Sequence, residues 1–191
     1  MSRTDVICPS CSGHATFEPA QAAVTDRPLR EAFKDRDEFD LITEATHSGW
    51  RTCAVWYPGV HTNNLESALP DGVGAERFST VYTKLDFYSS SDSIYNLGAV
   101  RCPSCATCRK HRLRWPDDAW YAVDVRGETL WARNAYDAET VVNFIGSIER
   151  DKTGNYGLLH NIPEHFLRAK VRDEVVKKMR AKLSLPAKPA Q

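Results

Sequence analysis

Apolar and polar residues change their period along this chain, and each change of period marks an element. Ala15-Thr16-Phe17-Glu18 alternates and predicts a strand. From Asp26-Arg27-Pro28 to about Arg36 the spacing of Leu29, Ala32 and Phe33 is helical, with Pro28 tolerated in the first turn. The acidic run Asp35 to Asp40 is expected to be solvated. At Gly49 the period falls to two: Trp50, Thr52, Ala54 and Trp56 alternate with Arg51, Cys53, Val55 and Tyr57 until Pro58-Gly59 interrupts. Phe78 to Phe87 alternates again, between an expected turn at Leu69 to Gly74 and a polar loop from Tyr88 to Ser93.

The C-terminal half has the strongest local signals. Trp120 to Arg133 predicts a hairpin in which Arg126-Gly127 forms a two-residue turn, pairing Val123 with Leu130 and Ala122 with Trp131. Trp131 is then expected in the core. Asn134 follows as a helix N-cap, with Asp137 and Glu139 near the positive helix end and Ala138, Val141, Val142, Ile145 and Ile148 forming one apolar face against the hairpin. Gly154 and Asn155 mark a loop. Pro163 precedes a last helix to about Leu183, with Leu167, Val171, Val175 and Met179 in a stripe.

The 191 residues carry 25 basic and 25 acidic side chains, but unevenly: residues 1–100 hold 8 basic against 14 acidic, and residues 101–191 hold 17 against 11. Net charges of −6 and +6 allow two readings, a basic surface for nucleic acid or internal complementarity between the halves. A composition 42% hydrophobic and 26% charged is that of an ordered globular chain. No apolar run approaches the length of a membrane span, and Met1-Ser2-Arg3-Thr4-Asp5 lacks the apolar core of a signal peptide, so a cytoplasmic protein with no membrane partner is expected.

Candidate chemistry is concentrated in two tetrapeptides, Cys8-Pro9-Ser10-Cys11 and Cys102-Pro103-Ser104-Cys105. Two residues between cysteines let the chain turn back so that both sulfurs reach one ion at about 2.3 Å, and two such knuckles complete a tetrahedral zinc site. Zinc held by Cys8, Cys11, Cys102 and Cys105 in a zinc ribbon is therefore expected. Roughly ninety residues separate the knuckles, so an inserted module must leave and return at neighbouring points. The rival is a redox dithiol, which needs its Cys-x-x-Cys at the start of a helix after a buried strand. Cys108 and His14, each three residues beyond its knuckle, are possible substitute ligands. Arg112 stands where an iron-sulfur pattern would need a further cysteine. Cys53, in an alternating strand, is expected to be buried as a small apolar residue.

Arg109, Lys110, Arg112 and Arg114 follow the second knuckle, with Trp115, Trp120 and Tyr121 close behind, a combination suited to phosphate neutralisation and base stacking in DNA or RNA. Lys177, Lys178 and Lys182 of the last helix would add to that surface. Signals for catalysis are sparse. Pro116-Asp117 with Asp124-Val125-Arg126 echoes the carboxylate pair of metal-dependent nucleases, with arginine in place of the proton-yielding lysine. His160-Asn161 and His165 resemble part of a histidine nuclease motif.

The stretch Cys102 to Arg114, Trp115-Pro116-Asp117-Asp118-Ala119-Trp120-Tyr121, Leu130-Trp131-Ala132 and Phe144-Ile145-Gly146-Ser147-Ile148 resembles uncharacterised bacterial proteins that carry a zinc ribbon, over less than half of the chain. That resemblance implies a metal class and no activity. The expected fold is α+β: a ribbon and hairpin from residues 1–18 and 100–133, an inserted β-rich module at 19–99, a helical region at 134–183 and a disordered tail at 184–191. The expected role is a non-enzymatic zinc-ribbon protein that binds nucleic acid weakly or acts as an adaptor. The alternatives are a protein-interaction module stapled by zinc and a metal-dependent nuclease.

Overall fold

The computed structural model describes residues 4–46, 49–81, 94–150, 156–160 and 162–185. The loop expected at Tyr88 to Ser93, the second half of the alternating stretch that ends at Phe87, the Gly154-Asn155 loop and the tail from residue 186 lie outside them. The elements in chain order are β1 (Thr4–Ile7), β2 (His14–Pro19), β3 (Gln21–Val24), α1 (Arg27–Phe33), β4 (Phe39–Thr46), β5 (Gly49–Trp56), α2 (Leu65–Ala68), β6 (Ser79–Thr80), β7 (Leu97–Arg101), β8 (Cys108–Arg112), β9 (Tyr121–Val125), β10 (Glu128–Ala132), α3 (Ala135–Gly146), α4 (Tyr156–Leu159) and α5 (Ala169–Leu183). The fold is mixed α+β. Its strands form sheets of order β1-β2-β7-β8, β4-β5-β3-β6 and β10-β9. Residues 1–16, 102–105 and 115–191 make one compact unit, and 17–101 with 106–114 make a second.

The second unit is built around β5. Its antiparallel pairing with β4 runs from Phe39 opposite Trp56 to Thr46 opposite Gly49, and β3 pairs along its other edge from Gln21 to Val24. A strand with a neighbour on each side and apolar residues at successive positions buries both faces. Cys53, Val55 and Tyr57 enter one cluster with Ala20, Ala22, Leu97 and Ala99, while Ala54 and Trp56 enter another with Phe33, Phe39 and Phe78. The three phenylalanine rings lie 4.6 to 6.0 Å apart. Gly98 is required on β7, because a Cβ there would come within 2.3 Å of both the Phe17 ring and the Glu18 carbonyl oxygen. The acidic run is solvated only at its start: Asp35 and Asp37 are exposed, but Phe39 is buried and opens β4. Charge density masked a single apolar residue there.

In the first unit the hairpin has the expected register, with Leu130 opposite Val123 and Trp131 opposite Ala122. Arg126 and Gly127 both have positive φ, at 55° and 85°, as a type I′ turn demands. Arginine is an unusual choice for the first of these positions. Its side chain donates to the Lys170 carbonyl at 2.9 Å, fastening the turn to α5. Asn134 caps α3 by accepting from the Asp137 N–H at 2.8 Å, and Ala138, Val141, Val142 and Ile145 are buried. Ile148 is 93% exposed because the helix ends at Gly146. At α5 the stripe of Val171, Val175 and Met179 is buried, and a 3-10 turn over Glu164–Leu167 precedes the helix, burying Phe166 in the core while Leu167 packs partly buried at its edge.

Trp131 requires a correction. Alternation along β9 and β10 buries Tyr121, Val123, Val125, Leu130 and Ala132, leaving Trp131 on the opposite face with Asp124 and Thr129. There it is half-buried and stacks on Trp115, with ring centroids 4.5 Å apart and planes 10° from parallel.

Candidate metal centre

The two knuckles are built alike. In the first, Ser12 donates its N–H to the Cys8 carbonyl at 2.9 Å, Cys8 donates to the Gly13 carbonyl at 2.8 Å, and the Ser10 N–H points at the Cys8 sulfur at 3.4 Å. The residue after the second cysteine is left-handed in both, Ser12 at φ 58° and Ala106 at φ 54°. That backbone conformation turns the chain out of the knuckle, and neither position carries the glycine that would adopt it most easily. Gly13 meets a different need. A Cβ there would sit 3.3 Å from the Cys11 sulfur.

Four sulfurs converge on one point. Cys8 lies 3.7 Å from Cys105 and Cys11 3.6 Å from Cys102, and the four sulfurs all lie within 4.8 Å of one another. These are free thiols, because a disulfide needs about 2.05 Å. A tetrahedron with metal–sulfur bonds of about 2.3 Å has edges of about 3.8 Å, so the cross-knuckle spacings fit four thiolates around one ion. Among the described residues no other group of three or more His, Cys, Asp or Glu lies close enough to hold an ion. Cys8 and Cys102 are buried, whereas Cys11 and Cys105 are exposed. The Gly13 N–H lowers the Cys11 pKa, but the Cys105 thiol, desolvation and the Cys102 and Cys8 thiols together outweigh it and push the pKa up to about 12. A bound cation reverses this logic, because it favours the thiolate at every ligand.

The two substitute ligands have other partners. His14 Nε2 is 2.9 Å from Asp5 Oδ1, its ring lies beside Trp120 at 5.1 Å, and its backbone carbonyl accepts from the Cys102 thiol at 3.7 Å. Cys108 donates to the Gly59 carbonyl at 3.1 Å. Cys53 is buried in the cluster around Val55.

No protein-family model, curated protein or solved structure matches the chain. Its chemistry is read from its own side chains.

The basic run after the second knuckle is divided by the strand that carries it. On β8, period-two alternation sets Lys110 and Arg112 on one face and Arg109 and His111 on the other. Lys110 Nζ pairs with Asp40 Oδ1 at 2.7 Å and lies 5.1 Å from the centre of the Tyr57 ring. Burial pushes the Tyr57 hydroxyl pKa up, the hydrogen-bonded Asp40 carboxylate adds to the rise, and Arg112 opposes it. Arg109 and Arg114 are exposed. On α5, Lys178 pairs with Glu174 at 2.8 Å and donates to the Asp124 carbonyl at 2.7 Å. Lys182 sits 4.0 Å over the Trp120 ring, where burial lowers its pKa. Lys177 is exposed.

Asp117 and Asp124, the carboxylates considered for catalysis, are both exposed. Asp124 lies on the exposed face of β9 and accepts from the Thr129 hydroxyl, while Arg126 reaches towards α5. His165 Nδ1 is 3.1 Å from Glu128, His160 is exposed, and Asn161 lies outside the described residues. The left-handed residues Ser12 and Ala106 and the Asp40–Tyr57–Lys110 group went unnoticed in the sequence. No spacing rule marks the first two, and the third joins residues far apart in the chain. Among the described residues no helix is long and apolar enough to cross a membrane.

Proposed function

We propose that the chain is a zinc-ribbon protein in which Cys8, Cys11, Cys102 and Cys105 hold one structural Zn²⁺, and that it serves as a non-enzymatic protein-interaction module, an adaptor stapled by its metal. The observation that carries this reading is the convergence of four sulfurs, with cross-knuckle distances of 3.6 and 3.7 Å. An all-thiolate, four-ligand set suits zinc and leaves no open position for substrate, which is the character of a structural centre. The resemblance to uncharacterised bacterial zinc-ribbon proteins points the same way. Six cysteines without a disulfide suit a reducing compartment such as the cytoplasm.

Protein is the favoured partner because much of the cationic surface that a nucleic acid would need is engaged within the chain. Lys110 is paired with Asp40, Lys178 with Glu174, and Lys182 lies on Trp120. The aromatic residues among these cations likewise meet neighbours, Trp115 stacked on Trp131 and Trp120 tilted against His14.

Metal analysis of the purified chain should give one zinc per molecule. Short DNA and RNA at low salt should show no binding. Binding that weakens with a log–log salt slope of roughly −3 to −6 and is lost when Arg109, Lys110 and Arg112 are replaced together by Glu would overturn the adaptor reading in favour of a nucleic-acid partner.

A further inference from the structure

The four thiols differ in access. Cys8 and Cys102 are each 1% exposed, whereas Cys11 and Cys105 face solvent. Each exposed sulfur lies close to the buried sulfur of the other knuckle, Cys11 to Cys102 at 3.6 Å and Cys105 to Cys8 at 3.7 Å. An oxidant arriving from solvent meets one thiolate of each knuckle, with a resolving partner directly across the centre.

We propose that this centre, which rests on the metal-thiolate reading above, is also a peroxide-sensitive switch that exchanges a metal cross-link between the knuckles for a disulfide cross-link. The Cys11 thiolate attacks one oxygen of a hydroperoxide. The O–O bond breaks, Cys11 becomes a sulfenic acid, and with hydrogen peroxide the leaving hydroxide takes a proton from solvent. The Cys102 thiolate then attacks the Cys11 sulfur, an S–S bond forms, the S–O bond breaks, and a second hydroxide leaves as water. Two electrons pass from two thiolates to one peroxide. Two of the four thiolates that would hold a metal are then spent in the disulfide, so the site would release it. Cys105 and Cys8 stand in the same relation and consume a second peroxide.

Pairing across the centre gives the switch its character. A Cys11–Cys102 bond joins residues 91 apart in the chain, so oxidation ejects the metal while the knuckles stay tied. A bond inside one knuckle, Cys8–Cys11 or Cys102–Cys105, would eject the metal and release them. The sulfurs must close from 3.6 Å to about 2.05 Å, a movement that rotation of an exposed cysteine side chain can supply.

The test uses the full chain carrying Cys53→Ala and Cys108→Ala, so that only the four candidate ligands remain, and measures zinc before any oxidant is added. A chain that holds no zinc overturns the metal reading and the switch with it. With zinc present, hydrogen peroxide should release one zinc per chain to a chromogenic chelator, and peptide mapping should find Cys11 joined to Cys102 or Cys8 to Cys105. The oxidised, metal-free chain should melt at a higher temperature than the reduced, metal-free chain, and dithiothreitol with Zn²⁺ should restore the starting form. Zinc retained under peroxide, irreversible sulfinic acid as the product, or disulfides confined within single knuckles would each overturn the switch while leaving the metal reading intact.

Discussion

The two compact units close their interiors by different means. In the second, residues 17–101 supply nearly everything, and two apolar clusters on the two faces of one sheet do the work. The first is assembled from three pieces, and among the described residues its apolar cluster draws on residues 120–183. Among the described residues, neither the N-terminal segment nor Cys102–Cys105 contributes a side chain to that cluster. The N-terminal strand is tied by backbone bonds, Asp5 N–H to the Arg133 carbonyl at 2.7 Å and Ile7 N–H to the Asp118 carbonyl at 2.9 Å. The four residues of the second knuckle are too few to offset by burial the roughly 1–2 kcal/mol each that ordering costs. Four thiolates around one zinc, as proposed, would contribute about 10–16 kcal/mol, a single term large enough. On the proposed reading, apolar packing serves contiguous sequence here, and a bound metal would serve sequence brought from far away.

Removing the metal should break this comparison most forcefully. Cys102→Ser, or chelation of the wild type, should cost the centre's contribution of about 10 kcal/mol or more, of the order of a whole domain's stability. Zinc content should fall to zero and the knuckle amides should exchange rapidly, while amides at Ala54 and Val55 in the second unit keep their hydrogen-exchange protection. Loss of protection at Ala54 and Val55 to the same degree would show that the second unit does not stand on its own two clusters.

Core truncations should sharpen the contrast at a smaller scale. Phe33→Ala removes one ring of the phenylalanine trio and should cost about 3–5 kcal/mol, felt in the second unit with zinc still bound. Ile145→Ala, at a side chain that is fully buried in the first unit, should cost about 2–5 kcal/mol. Denaturant unfolding followed alongside zinc release separates them: zinc should leave earlier in the Ile145 variant and unchanged in the Phe33 variant.

What could be read from the chain alone follows the same division. The hairpin register, the Asn134 cap and the Val171–Val175–Met179 stripe depend on neighbours within a few residues, so periodicity and turn chemistry reveal them. The four cysteines were legible because ligand spacing repeats, although they lie far apart. Trp131 was misread because alternation shows which residues share a face without showing which face meets the core. The basic run looked like one surface because adjacent letters in a strand point opposite ways, and Asp40, the partner of Lys110, lies 70 residues earlier.

Trp131→Ala therefore tests the corrected placement. A buried tryptophan would cost about 3–5 kcal/mol, whereas a half-exposed ring stacked on Trp115 should cost about 1–2 kcal/mol, of which the stack supplies about 0.5–1.5. Chemical denaturation gives the value directly. A loss above 3 kcal/mol would return Trp131 to the core of the first unit.

The smallest effect probes the two knuckles, where the backbone is strained. Ser12 and Ala106 take φ values of 58° and 54° to leave their knuckles, and a left-handed L-residue costs about 1–2 kcal/mol that glycine does not incur. Glycine returns part of this gain by loosening the unfolded chain, by about 0.4–1 kcal/mol, so the net benefit of Ser12→Gly or Ala106→Gly should be about 0.8 kcal/mol. Because the left-handed turn belongs to the closed knuckle, that benefit should appear as tighter zinc binding, roughly twofold for each 0.4 kcal/mol in a competition titration. The apolar clusters contain neither residue, so the hydrogen-exchange protection of Ala54 and Val55 should not change. Arg126, left-handed in the hairpin turn at φ 55°, is the control: Arg126→Gly relieves the same strain but loses the bond to the Lys170 carbonyl, and it should leave zinc affinity unaltered. Weaker zinc binding by both knuckle glycine variants would mean that the side chains at these positions help to hold the closed form, and strain would no longer explain their geometry.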